Sequence, residues 1–209
     1  MDQEPGGMAR SFHAACALAL VAALATGGCA SSGRMGDAVG KALGSVGLGS
    51  AESKAPREHV VPLRLYAAAN LNAGSGARPL ALVVRVYQLR SLQRFEQAPF
   101  DAFLDEKSEQ AALGPDLVAA NEVLLTPGQR HELREPMAAD ATHLGVVALF
   151  RSPAASRWRF SFDSRVAAAD GITIGLHACA LTTTSSALQT RLSTEPHVLS
   201  SVNCNAKRR

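Results

Sequence analysis

The sequence predicts an all-β chain: a two-layer β-sandwich with one short helical insert, preceded by residues that lie outside it. Three observations carry this. About seven short runs rich in Val, Ile, Leu and aromatic residues follow His59, separated by Gly, Pro and Asn turn signals. Between them, Leu92 to Leu104 abandons alternation for helical spacing. Upstream of His59 the chain reads as an export leader and a Gly/Ser/Ala-rich stretch, with no strand pattern.

The leader comes first in the chain. Arg10 precedes the apolar run Phe12–Ala25, and Thr26-Gly27-Gly28-Cys29 follows. A basic residue, an apolar segment of this length and small residues before a cut make a secretory signal peptide, residues 1–28. The small-small-Cys ending resembles a bacterial lipoprotein signal, although Thr26 stands where Leu is usual. In that reading the Cys29 thiol is acylated and becomes the first residue of the mature chain. The alternative is plain secretion with Cys29 left free. Ala30 and Ser31 follow without an Asp, which favours the outer membrane. Asp2 and Glu4 are unusual ahead of such a segment, so Met8 is a second candidate start. Removing residues 1–28 takes away Arg10, Asp2 and Glu4, leaving 20 of the 21 basic and 16 of the 18 acidic residues.

Residues 29–58 form a Gly/Ser/Ala tether. Met35, Val39, Leu43 and Val46 fall near helical spacing, but the glycines among them oppose a stable helix. As a coil, Ala30–Glu58 would span about 30 Å. The remaining residues, 59–209, suit one domain of about 150 residues.

Within that domain, Val60 to Ala67 alternates and contains Pro62, which predicts an edge strand. Ala68 to Arg78 is a polar, Gly-containing loop. Its Gly74-Ser75-Gly76 lacks the following Gly-Lys-Ser/Thr and the helix of a phosphate loop. The strand after it, through Leu80, Leu82, Val84 and Val86, is apolar on both faces until Arg85 and reads as central. Leu92, Phe95, Phe100, Phe103 and Leu104 then space out as the helical insert. Asp101, Asp105, Glu106 and Glu109 are assigned to its wet side, since they lack the pattern of a calcium loop. Glu122 to Leu125 and Arg130 to Leu133 flank Thr126-Pro127-Gly128-Gln129, a type II turn signature that predicts a hairpin. His143 to Phe150 is apolar on both faces. Arg157 to Ser164 alternates, with Trp158, Phe160 and Phe162 inward and Arg157, Arg159 and Ser161 outward. Ile172 to Leu181 and Pro196 to Cys204 complete the strands.

The chemistry is sparse. The full chain is 47% apolar and 19% charged, with a net charge of +3 too scattered for a nucleic-acid surface. No apolar run of about 20 residues is present to form a spanning helix. Cys179 and Cys204 remain after the leader and Cys29 are set aside. In an oxidising compartment they predict a disulfide worth about 3 kcal/mol. The same residues, with His177 and His197, can be written as a two-His, two-Cys zinc set, whose spacing fits no compact zinc motif. No nucleophile elbow, His-Glu-x-x-His or cofactor turn occurs. The expectation is a binding or scaffold part, not an enzyme, with no cofactor, no metal and no small-molecule substrate. Two rivals stand beside it: a lipid-anchored carrier of a small molecule or glycan, and a hydrolase with a Ser or Cys beside a His.

With these residues in place, the chain resembles the type VI secretion system outer-membrane lipoprotein family, TssJ (SciN or VasD). The match rests on the lipoprotein signal, the Asn70–Pro79 loop into Val84-Arg85-Val86-Tyr87-Gln88-Leu89, and the Phe95…Phe100…Leu104 insert. It continues through Leu125-Thr126-Pro127-Gly128, Leu144-Gly145-Val146-Val147-Ala148 and Trp158-Arg159, covering most of Val60 to Leu181. The resemblance implies a transthyretin-like two-layer sandwich. It also implies a structural role, anchoring a trans-envelope complex by binding the periplasmic domain of TssM. The contact would lie in the loop between the first two strands: Asn70, Leu71, Asn72, Ala73, Gly74, Ser75, Gly76, Ala77 and Arg78.

Overall fold

The computed structural model describes residues 58–76 and 78–205. Cys29, the leader, the tether and Ala77 lie outside these residues. The described strands are β1 (His59–Ala67), β2 (Leu82–Leu89), β3 (Leu117–Leu125), β4 (Arg130–Met137), β5 (His143–Ala148), β6 (Arg159–Asp163), β7 (Ile172–Leu176) and β8 (Leu181–Thr183). They form two four-stranded sheets, ordered β4-β1-β7-β8 and β3-β2-β5-β6. Val61, Leu63 and Leu65 of one sheet and Val84, Val86, Leu144, Val146, Phe160 and Phe162 of the other are fully buried in one core cluster. The β-sandwich is therefore as expected, with β2 and β5 internal to their sheet.

Several local expectations are corrected. The Thr126–Gln129 segment makes its turn, with Gly128 at φ 78° and the Gln129 N–H donating to the Thr126 carbonyl at 3.1 Å. It does not close a hairpin: β3 pairs with β2 and β4 with β1, so the turn carries the chain from one sheet to the other. A turn signature fixes the local reversal but not which ladders its flanks join. β1 is not an edge strand either, because it lies between β4 and β7. The β7 register begins only at Leu63, so Pro62 sits where the strand has a neighbour on one side.

The run Ile172–Leu181 breaks into β7 and β8 at a turn closed by the His177 N–H and the Ala180 carbonyl, 3.0 Å apart. Pro196–Cys204 is not a strand. A helix absent from the sequence reading, Ser164–Asp170, follows β6, and the Asp163 carboxylate accepts from the Arg165 and Val166 N–H groups that open it. Arg157 and Ser161, assigned to the wet side, are 4% and 0% exposed because the tail beyond β8 covers them.

The insert comprises α1 (Gln93–Gln97), a 3-10 turn (Phe100–Leu104), α2 (Glu106–Leu113) and a second 3-10 turn (Gly114–Asp116). It covers the outer side of β2 and β5. Tyr87, Phe95 and Phe103 stack in tilted and edge contacts with ring centres 5.8 Å apart, and Trp158 meets Phe100 at 5.0 Å and Phe103 at 5.6 Å. A Cβ on Gly145 would come within 2.8 Å of Phe95, so that strand position has to lack one. Asp105 caps α2 through the Ser108 N–H at 2.9 Å.

Glu109 is not solvated. Its carboxylate pairs with the Arg85 guanidinium and accepts from the Tyr87 hydroxyl at 2.7 Å, while Glu122 takes the other side of Arg85 at 3.0 Å. Burial opposes the charge on Arg85, yet the two carboxylates hold its pKa above the ordinary value. Burial, reinforced by Glu109, likewise raises the Tyr87 phenol. The Arg159 guanidinium donates to the Phe95 and Ala98 carbonyls at 2.6 and 2.5 Å, closing the end of α1.

Candidate functional site

The loop joining β1 to β2 is held by backbone hydrogen bonds along most of its first half. Beyond Ala67 it continues beside the turn between β7 and β8. Ala68, Asn72 and Gly74 donate to the carbonyls of Leu176, His177 and Ala178 at 2.8, 3.0 and 2.8 Å. Leu71, Asn72 and Ala73 are buried, Leu71 completely. This corrects the expectation that the loop holds few residues that could be buried.

Asn72 is the hinge of this arrangement. It adopts φ 52°, a left-handed conformation that Asn tolerates better than most residues. Its Nδ2 donates to the Ala81 carbonyl and its Oδ1 accepts from the Arg151 N–H, both at 2.9 Å. Gly74, at φ 62°, lies so close to the loop between β5 and β6 that a Cβ would stand 3.2 Å from Ser152. At Gly76 a Cβ would meet an Arg151 guanidinium nitrogen at 3.4 Å. Asn70, Ser75, Gly76 and Arg78 remain exposed. The candidate contact surface therefore reduces to the loop's tip, with Arg151 beside it.

Arg151 was not legible as part of this site, because it lies far along the chain from the loop and no motif links them. The one available signal was the paired Gly74 and Gly76, which permit close approach but do not say by what.

The tail and its cross-link lie directly behind the tip. Cys179 and Cys204 are joined, with Cα atoms 5.5 Å apart. The bond takes up both thiols, so the two-His, two-Cys zinc alternative does not form. Among the described residues no cluster of three or more His, Cys, Asp or Glu could hold a metal. The Ser152 hydroxyl donates to the Cys204 carbonyl at 2.9 Å. Arg157 fastens the tail further up, donating to the Pro196 carbonyl, the Thr194 hydroxyl and the Glu195 carbonyl at 2.9, 2.6 and 2.8 Å. The His177 ring sits 2.9 Å from the Thr182 hydroxyl, and burial lowers its pKa below the ordinary value.

His143 and His177 contact threonine hydroxyls, at 2.8 and 2.9 Å, and not a Ser or Cys. A surface cleft of about 550 Å³ is lined by Glu58–Val60, Gln88, Val118, Ala119 and Pro136–Ala138. Gln88 on its wall is engaged within the protein. Gln88 donates to Glu135 at 2.6 Å and accepts from the Ala138 N–H at 2.9 Å, while Asn121 donates to the same carboxylate at 2.9 and 3.0 Å.

Comparison with known proteins gives a consistent result. A family described as type VI secretion lipoprotein (VasD, EvfM, TssJ) matches residues 59–179. The type VI secretion lipoprotein TssJ1 of Pseudomonas aeruginosa is 27% identical over 66% of this chain and 100% of its own, with a TM-score of 0.53. A chain of a structure described as the type VI membrane complex is 26% identical over 60% and 97%, with a TM-score of 0.54. A chain of a structure described as the TssM C-terminal domain from EAEC is 26% identical over 60% and 97%, with a TM-score of 0.51. No curated protein matches the chain.

Proposed function

Because the chain belongs to the type VI secretion lipoprotein family, we propose that it anchors the secretion system's membrane complex to the outer membrane. In this reading Cys29 carries the lipid, residues 30–58 form the tether, and the tip of the Asn70–Arg78 loop binds the periplasmic domain of TssM. The observation that carries it is the division of the loop. Leu71 to Gly74 are buried, with Asn72 and Gly74 hydrogen-bonded to the turn between β7 and β8, whereas Ser75, Gly76 and Arg78 are exposed beyond that base. A rigid base under an exposed tip keeps the ordering cost of binding low. Similarity to chains in structures described by TssM and by the membrane complex supports the choice of partner.

The test confines itself to the tip, since a change reaching Asn72 would disturb the fold. Ser75→Glu with Arg78→Glu should leave the melting temperature unchanged. It should weaken binding to the TssM periplasmic domain at least tenfold, about 1.4 kcal/mol. Unchanged affinity in a calorimetric titration would overturn the assignment of the tip.

A further inference from the structure

Arginine is used inside this fold in two ways. Arg64, Arg85, Arg90 and Arg94 each meet a carboxylate: Glu132 for Arg64, Glu109 and Glu122 for Arg85, Asp140 for Arg90 and Asp116 for Arg94. Arg157 and Arg159 turn their guanidinium groups onto backbone carbonyls.

Arg151 follows neither pattern. It stands in the loop between β5 and β6, which is fastened on three sides. The Arg151 N–H donates to the buried Asn72 side chain, the Ser152 hydroxyl to the Cys204 carbonyl and the Ala154 N–H to the Cys179 carbonyl, each at 2.9 Å. The backbone under Arg151 is thereby tied to the loop between β1 and β2 and to the cross-linked tail. Its side chain is exposed, and a guanidinium nitrogen lies 3.4 Å from where a Cβ on Gly76 would stand. Among the described residues that guanidinium meets no carboxylate and no carbonyl. Arg78, two positions beyond Gly76, is exposed as well and is likewise without a carboxylate among the described residues.

Two like charges at one tip, with no acid between them, make the local potential positive and favour an anion over a neutral group. A guanidinium on an already ordered backbone presents its fork of donors at a low entropic cost, and the fork matches a carboxylate. We propose, taking the tip as the TssM contact, that Arg151 is itself a contact residue and pairs with an Asp or Glu carboxylate of that partner. Arg78 is the second cation of the same surface.

Titration of the detergent-solubilised full chain with the TssM periplasmic domain tests the pairing. Raising sodium chloride from about 0.1 to about 1 M shortens the screening length from about 10 to about 3 Å and should weaken binding several-fold. Arg151→Glu should raise the Kd about tenfold and Arg151→Gln about fivefold. The melting temperature should not move, because the fold makes no hydrogen bond through this guanidinium. Arg151→Lys keeps the charge and supplies an amine, so carbodiimide treatment of the complex should couple position 151 to an Asp or Glu of the partner, read by mass spectrometry. Ser75→Trp blocks the tip without changing its charge and so tests the underlying contact separately. Binding lost with Ser75→Trp but indifferent to salt and to Arg151→Glu and Arg151→Gln would overturn the carboxylate pairing and leave the tip as the contact. Binding indifferent to Ser75→Trp as well would overturn both. Failure to couple position 151 to any partner carboxylate, in a complex that Arg151→Glu weakens, would also overturn the pairing.

Discussion

The insert side of the sandwich and its loop end are built by opposite means. Over β2 and β5 the insert is held by side chains: five aromatic rings in mutual contact and the Arg85–Glu109–Tyr87 cluster. At the loop end the work is done by backbone hydrogen bonds onto the turn between β7 and β8, one asparagine and a covalent cross-link. Packing energy is large but sensitive to shape. Backbone bonds and a cross-link contribute less per group, yet they fix position without depending on the residues that project from them. On the proposed function, the contrast makes stability and partner contact separable.

The largest effect should come from the insert. Phe103→Ala removes a fully buried ring that touches Tyr87, Phe95 and Trp158, and should cost about 4 kcal/mol in denaturant unfolding. The fraction that remains folded should bind TssM as before. A loss of affinity equal to that of the tip variant would break the comparison.

Cys204→Ser tests the other side. The cross-link spans a sequence separation of 25, and its loss should cost about 3 kcal/mol. Here affinity should fall too, because the turn bearing Cys179 also supplies the carbonyls on which Asn72 and Gly74 hang. Stability lost with affinity intact would mean that the hydrogen bonds alone position the tip.

The smallest effect is one of pH. Burial holds the His177 pKa below its ordinary value of about 6.5, so the folded chain favours the neutral ring. As pH falls below about 6.5 the unfolded chain takes up the proton first, and the stability that His177 contributes above that pH is lost. His177→Asn should flatten this part of the stability profile, read by chemical denaturation between neutral and mildly acidic pH. An unaltered slope would remove His177 from the account of the loop end.

What could be read from the sequence follows the same divide. β2 and β5 were legible because both of their faces are buried and the chain shows it as unbroken apolar runs. The helical insert showed itself through a change of period at Leu92. Glu109 and Arg157 were misread for a shared reason. A charged residue at a solvent-facing spacing looks solvated until a distant segment covers it, and the segments that do so, β2 and the tail, are remote from them in the chain. The loop between β1 and β2 was legible as a long connection, from its length and its glycines. Its division at Gly74 was not, because the bonds that bury Leu71 to Ala73 come from residues a hundred positions later. The crossing between β3 and β4 was hidden in the same way.

One feature of β1 has a mechanical meaning. The strand that follows the N-terminal segment is not at a margin of its sheet: it runs antiparallel to β4 from His59 to Tyr66 and parallel to β7 from Leu63 to Ala67. From Leu63 onward, a pull along the strand from His59 meets a ladder on each side. A pull directed along the strand would load the β4 ladder from His59 and the β7 ladder from Leu63 in shear, so many hydrogen bonds would have to yield together. A domain that takes its load through an interior strand can bear a steady tug at one end while its opposite end keeps its shape.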